Sequence, residues 1–156
     1  MATEYRLYRN IERSIIDFLI DELEEDGWDG VRVEKSFTKI HDGTIPAICV
    51  NLEEPDISRI EIGSNQYEEI STISIRLFCK DDGFRLDLSA WLLEKIMPGI
   101  DYYEYIITSG KISGKVLSGK ISIQKIISSR KELKNTEGLD EKDKFRHLFQ
   151  FTCKVN

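Results

Sequence analysis

The 156-residue chain is poor in the residues from which most small reactive sites are built. It has three cysteines, Cys49, Cys79 and Cys153, and no two of them are spaced as C-x-x-C. That excludes a thiolate zinc knuckle and a dithiol redox motif. Each cysteine lies in a strand-like segment, and the pattern predicts buried thiols in a reducing compartment with no disulfide. The only histidines are His41 and His147, so no H-x-x-x-H pair exists for zinc and a Ser-His-Asp triad has few possible centres. Basic excess is missing too. With 22 Lys and Arg against 28 Asp and Glu, the net charge of −6 argues against a general binder of duplex DNA. No run approaches the ~20 apolar residues of a membrane helix, and Met1-Ala2-Thr3-Glu4 opens no secretory pattern. The expectation is a protein made in a cytoplasm, with no membrane contact.

What the chain does have is an ordinary globular balance. Hydrophobic residues make up 40% and charged ones 32%, enough for one folded domain over residues 1–156. The strongest pattern runs from Gln66 to Lys80. Ile73, Ile75, Leu77 and Cys79 alternate with Thr72, Ser74 and Arg76, the period of a half-buried strand, and Phe78 interrupts the polar row. Asp81-Asp82-Gly83 offers a turn and an N-cap. Leu88, Trp91, Leu92 and Ile96 then recur at helical spacing over Phe84–Met97, until Pro98-Gly99 stops the helix.

Ahead of this unit, Tyr5–Glu25 carries a helical stripe of Leu7, Ile11, Ile15, Phe18, Leu19 and Leu23, with Gly27 as its C′ residue and Trp28 placed to fold back. The acidic run Glu22, Glu24, Glu25 and Asp26 at its end reads as a solvated helix terminus, with a cation site or acidic interface as the alternative. Val31–Phe37 and Ala47–Glu53 alternate as strands, and His41-Asp42-Gly43 between them predicts a hairpin. Ile57–Ile62 adds a short strand.

Behind the unit, Ile100–Ile106 is a strand crowded with Tyr102, Tyr103 and Tyr105, which cannot all face inward. They read either as an assembly surface or as a core strand with phenols at its rim. Ser109–Lys120 contains Gly114-x-x-x-x-Gly119-Lys120, part of a phosphate-loop pattern. Ile121 stands where Ser or Thr would hold magnesium, and Ile121-Ser-Ile-Gln is strand-like, so the segment predicts a flexible lysine-bearing hairpin and no nucleotide site. Ile121, Ile123, Ile126 and Ile127 mark a further strand. Residues 130–144 balance five cations against five anions with no apolar period, which predicts a long flexible loop. Glu132-Leu-Lys134 has the E-x-K spacing of metal nucleases, but chance and its place in that loop count against it. The chain closes on a strand with Phe145, His147, Phe149, Phe151, Cys153 and Val155 on one face, His147 reading as a satisfied, partly buried histidine.

Together these readings give an α+β single domain, a mostly antiparallel (mixed) β-sheet with two helices packed on one face, and no catalytic, cofactor or metal site. The order of elements resembles the small tail-terminator and tail-completion proteins of long-tailed bacteriophages and prophages. The resemblance is carried by Ile11–Leu23 with Gly27-Trp28, Val31–Phe37, Ile45-Pro46-Ala47-Ile48, Ile60-Glu-Ile-Gly63-Ser64, Ile73–Lys80, the Arg85–Leu93 helix and the final Lys144-Phe145-Arg146 strand. It implies a virion subunit without enzyme activity. Such a subunit forms a hexameric ring on the tail tube protein, stops tube growth and meets a head-completion or neck protein. DNA would pass through the lumen without sequence-specific binding. On that reading Tyr102, Tyr103, Tyr105, Arg130, Lys131, Lys134, Glu137 and Asp140 are the candidate assembly residues. Another neck protein between portal and tail, or a small regulatory or nucleic-acid-binding α+β module, remain alternatives.

Overall fold

Strand β4, Tyr67–Cys79, lies in the middle of the sheet, and in its second half, from Ile73 to Cys79, one face is wholly apolar. Ile73, Ile75, Leu77 and Cys79 are all fully buried in the main core. The computed structural model describes residues 6–35, 44–53, 56–59, 67–132 and 145–156. The other elements are α1 (Leu7–Glu25), β1 (Arg32–Glu34), β2 (Ala47–Leu52), β3 (Asp56–Arg59), α2 (Asp82–Ile96), β5 (Ile100–Thr108), β6 (Lys111–Glu132) and β7 (Phe145–Val155). Six strands lie in the order β1-β2-β4-β7-β6-β5, and β3 pairs with the first part of β4. The result is the α+β architecture expected from the sequence.

Both helices end as their sequences dictate. The Asp81 carboxylate accepts the Phe84 N–H at 2.7 Å and starts α2. At the end of α1, Gly27 takes a φ of +75°, and the Trp28 N–H reaches back to the Leu23 carbonyl at 2.9 Å. This closure swings Trp28 against Phe84 and Trp91, ring centroids 5.4 and 5.9 Å away, and so ties α1 to α2. Ile11, Ile15 and Leu19 of α1 and Leu88, Leu92 and Ile96 of α2 enter the same core.

Two parts of the expected chain trace need correction. The hairpin between the strands at Val31–Phe37 and Ala47–Glu53 is not formed. Among the described residues strand β1 is Arg32–Glu34, and it runs parallel to β2, Val33 opposite Ile48. Twelve residues separate the two strands, about the length a parallel return requires, where a hairpin needs two to five. His41-Asp42-Gly43 lies outside the described residues.

The second correction is larger. The expected flexible hairpin at Ser109–Lys120, the strand after it and the start of the expected loop at residues 130–144 are one 22-residue strand, β6. Its turn is only Ser109-Gly110, both at positive φ (52° and 77°), the two-residue turn whose twist suits a hairpin. Register shifts at Ile123/Lys125 and Ile126/Ser128 hide the strand from a period-two reading. At the second shift Ile126 packs on the core while Ile127 is exposed. Arg130, Lys131 and Glu132 continue the ladder opposite Leu148, His147 and Arg146. The rest of the expected loop, residues 133–144, lies outside the described residues.

The sheet curls around α1, which packs on β5 at one edge and on β1 and β2 at the other, while α2 covers β4 and β7. On the reverse face, Phe78 joins Ile45, Ala47 and Cys49 in a small second cluster, with the Arg146 guanidinium 5.0 Å above its ring. The three cysteines are free and buried. Cys49 faces this second cluster. Cys79 and Cys153 share the main core, but Cys79 pairs with Phe145, eight residues along β7 from Cys153, about 26 Å away. Burial pushes both core thiols up to about 12.

Candidate assembly surface

The tyrosine strand resolves its crowding through a register shift between Tyr102 and Tyr103. Tyr102 and Tyr105 are buried against α1, and Tyr103 is half-buried. The Tyr105 hydroxyl donates to Asp17 at 2.7 Å, and Asn10 donates to the Tyr102 hydroxyl at 3.3 Å. The open edge of β5 is closed in the same way. The Tyr103 N–H donates to the Ser14 hydroxyl at 3.0 Å and the Tyr105 N–H to the Asn10 side-chain oxygen at 3.4 Å. Helix α1 thus occupies the edge where another strand would add. Tyr102 and Tyr105 belong to the chain's own core and not to a free assembly surface.

Of the other expected interface residues, Arg130 is exposed at the end of β6. Lys131 is held by Asp82 at 2.9 Å, and the bonds from Lys131 and Arg85 keep the Asp82 carboxyl below its usual range. Lys134, Glu137 and Asp140 lie outside the described residues. Glu132, the first residue of the E-x-K triplet, sits on a core strand and not in a loop. It bridges Arg76 at 3.5 Å and Arg146 at 3.0 Å, a structural role for the carboxylate. Among the described residues no group of three His, Cys, Asp or Glu could hold a metal ion.

His147 is 8% exposed and satisfied at both ring nitrogens. Its Nδ1 lies 2.7 Å from Nη1 of Arg85 and its Nε2 lies 3.0 Å from the Ser129 hydroxyl. Arginine has no acceptor, so Nδ1 accepts and the ring proton sits on Nε2, donating to Ser129. Burial first, and the Arg85 charge second, push the imidazole down to about 4. Between pH 6.5 and 4 the unfolded chain therefore binds a proton that the folded chain refuses. Stability contributed by the neutral ring is complete above 6.5 and falls as pH drops through the window, by up to about 3 kcal/mol. An NMR titration should find the His147 resonance, assigned by its loss in His147→Gln, moving with a midpoint near 4. A midpoint at the ordinary 6.5 would mean that water reaches the ring.

The surface that sequence reasoning missed is the outer part of the β5–β6 hairpin. β6 meets β7 only from Ile121 onward, so Lys111–Gly119 pairs with β5 alone among the described residues. On this two-stranded arm Val116 and Leu117 are 56% and 58% exposed, and Ile106 and Ile112 are also exposed. The ladder places Ile106 and Val116 on one side of the ribbon, and Ile112 and Leu117 on the other. Lys111, Lys115 and Lys120 flank them, Lys115 lying 4.3 Å over the Tyr103 ring. The available signal was the apolar pair Val116-Leu117 inside a Gly/Ser/Lys stretch, which composition disguises as a loop. Gly119, one of the two phosphate-loop glycines, has a packing reason. A Cβ there would collide with the Asn156 carbonyl oxygen, to which the Lys120 N–H donates at 3.2 Å.

A second surface lies at the far end of α1. A groove of about 300 Å³ runs between α1 and β1, lined by the apolar Ile20, Leu23, Trp28, Val31 and Val33, by Glu24 and Asp29, and by Arg32, which bridges Glu34 at 3.2 Å. The acidic helix end beside it is partly neutralised. Lys95 bridges Glu22 at 2.9 Å and Asp26 at 2.8 Å, and the Trp91 indole also donates to Asp26. The Lys95 and Trp91 bonds hold the Asp26 carboxyl below its usual range. No protein-family model and no curated protein sequence matches the chain.

Proposed function

We propose that this chain is a structural ring subunit at the head-proximal end of a phage tail tube, where it ends tube growth and joins tail to head. The proposal has its origin in the resemblance of element order to tail-terminator proteins. The observation that supports it is the arm: a β-ribbon with Ile106, Ile112, Val116 and Leu117 in solvent, on a fold whose β5 edge is closed by its own helix. Apolar groups exposed on a two-stranded element gain by burial against another chain, at roughly 25 cal/mol per Å². The subunit would self-associate into a hexameric ring, seat on the tube protein and present its other side to a neck protein. No helix among the described residues is long and apolar enough to cross a membrane. Virion assembly is the compartment this reading requires.

Electron microscopy of particles produced without this protein tests the proposal. Headless tails of abnormal length are the expected result, restored to normal length and joining when the chain is supplied in trans. Normal tails attached to heads in its absence would refute it.

A further inference from the structure

We propose that the β5–β6 arm of one copy docks in the α1–β1 groove of a second copy, a head-to-tail contact between two different surfaces. The inference rests on the ring reading and says which surfaces make the ring. The arm is basic toward its turn: from Ile106 to Lys120 it carries three lysines and no acidic residue, and the carboxylate of its β5 strand, Glu104, accepts from the Ser118 hydroxyl at 3.0 Å. Its own surroundings offer it little in return, because Ile112 shares a hollow with three cations, Arg9, Arg13 and Lys35, against one carboxylate, Glu12. The opposite charge is collected elsewhere. Residues 20–30 hold six carboxylates and no cation. Lys95 takes two of them, leaving Asp21, Glu24, Glu25 and Asp29 exposed and without an ion pair among the described residues.

The apolar parts match as well. The arm offers branched aliphatic side chains between its lysines, and the groove has an apolar lining beside Glu24 and Asp29, its one cation, Arg32, being bridged to Glu34. Both also have backbone to share. Strand β1 pairs only with β2, and Lys111–Gly119 only with β5, among the described residues, so the arm can add to β1 as a strand.

The arm cannot fill its own groove. It lies against α1 from Arg9 to Ile16, whereas the groove begins at Ile20, about one turn (6 Å) further along the helix, so the arm stops short of the groove in its own copy. The contact therefore joins separate copies, and a heterologous contact of this kind closes into a ring when its rotation divides a full turn. A basic arm could instead meet DNA. The exposed aliphatic side chains between its lysines suit a protein groove better than a phosphate backbone.

The test uses full-length protein and light scattering coupled to gel filtration. The parent should assemble, and less so as salt rises. Val116→Asp/Leu117→Asp on the arm and Glu24→Lys/Asp29→Lys on the groove alter exposed residues, so each should keep the parent's circular dichroism and melting temperature but run as a monomer. Mixing the two should give a 1:1 dimer and nothing larger, because the mixture holds one intact arm and one intact groove. A parent that stays monomeric, variants that still assemble, or a mixture that stays monomeric would each overturn the contact. Binding of fluorescent duplex DNA, lost in the arm variant while self-association persists, would assign the arm to nucleic acid instead. The two readings fail separately. Particles carrying the arm variant with normal joined tails would remove this contact and leave the ring proposal standing. Normal particles with the protein deleted would remove the ring proposal, whatever the solution behaviour.

Discussion

Replacing Leu77 by alanine is expected to lower the free energy of unfolding by about 2–5 kcal/mol. Leu77 is 0% exposed and lies in the middle of the sheet, opposite Ile48 on one neighbour and His147 on the other. Ile73 and Ile75 continue its row, and the buried faces of α1 and α2 close over it. Removing the side chain beyond Cβ loses its transfer free energy and leaves a cavity. The walls of that cavity belong to strands hydrogen-bonded on both sides, so they collapse little. Urea unfolding followed by circular dichroism measures the loss from the shift in midpoint at unchanged slope. A loss below about 1 kcal/mol would place that row outside the core.

Glu132→Gln is expected to cost a comparable amount, about 3–5 kcal/mol. The Glu132 carboxylate reaches two guanidiniums, Arg76 at 3.5 Å and Arg146 at 3.0 Å, and the Arg146 side chain is 3% exposed. Neutralising the acid leaves both cations, one of them buried, without this counter-charge, and the amide cannot replace it. The expected loss comes from a desolvated charge, so Arg146→Met in the Glu132→Gln background should recover part of it. That double substitution separates a buried charge cluster from a surface one. An exposed pair would show a cost near 0–1 kcal/mol and no recovery.

The division between what was legible and what was not follows particular residues. Ile73, Ile75, Leu77 and Cys79 announce their buried face because alternation is a local property of one strand. Leu88, Leu92 and Ile96 do the same at helical spacing, and Asp81 and Gly27 mark helix ends through bonds to residues three to five positions away. The placement of His147 as a satisfied, partly buried residue also followed from its neighbours on an apolar strand face. Strand β6 was not legible. Its bulges at Gln124 and Ile127 shift the alternation, and its glycines and serines resemble a loop until β5 and β7 pair with it.

The sequence alone determined the fold class, the central strand and its buried face, the two helices and the burial of the cysteines, because each depends on side-chain periodicity or capping within a few residues. Only the tertiary structure decided the parallel pairing of β1 with β2, the burial of Tyr102 and Tyr105, the bridging of two arginines by Glu132, and the exposure of the arm's aliphatic side chains. Each of these depends on which distant strand supplies a backbone or a charge. Tyr105 meets Asp17 across 88 residues, and Glu132 meets Arg76 across 56. Contacts of that range leave no period in the chain, since nothing local distinguishes a tyrosine that will meet a helix from one that will meet water.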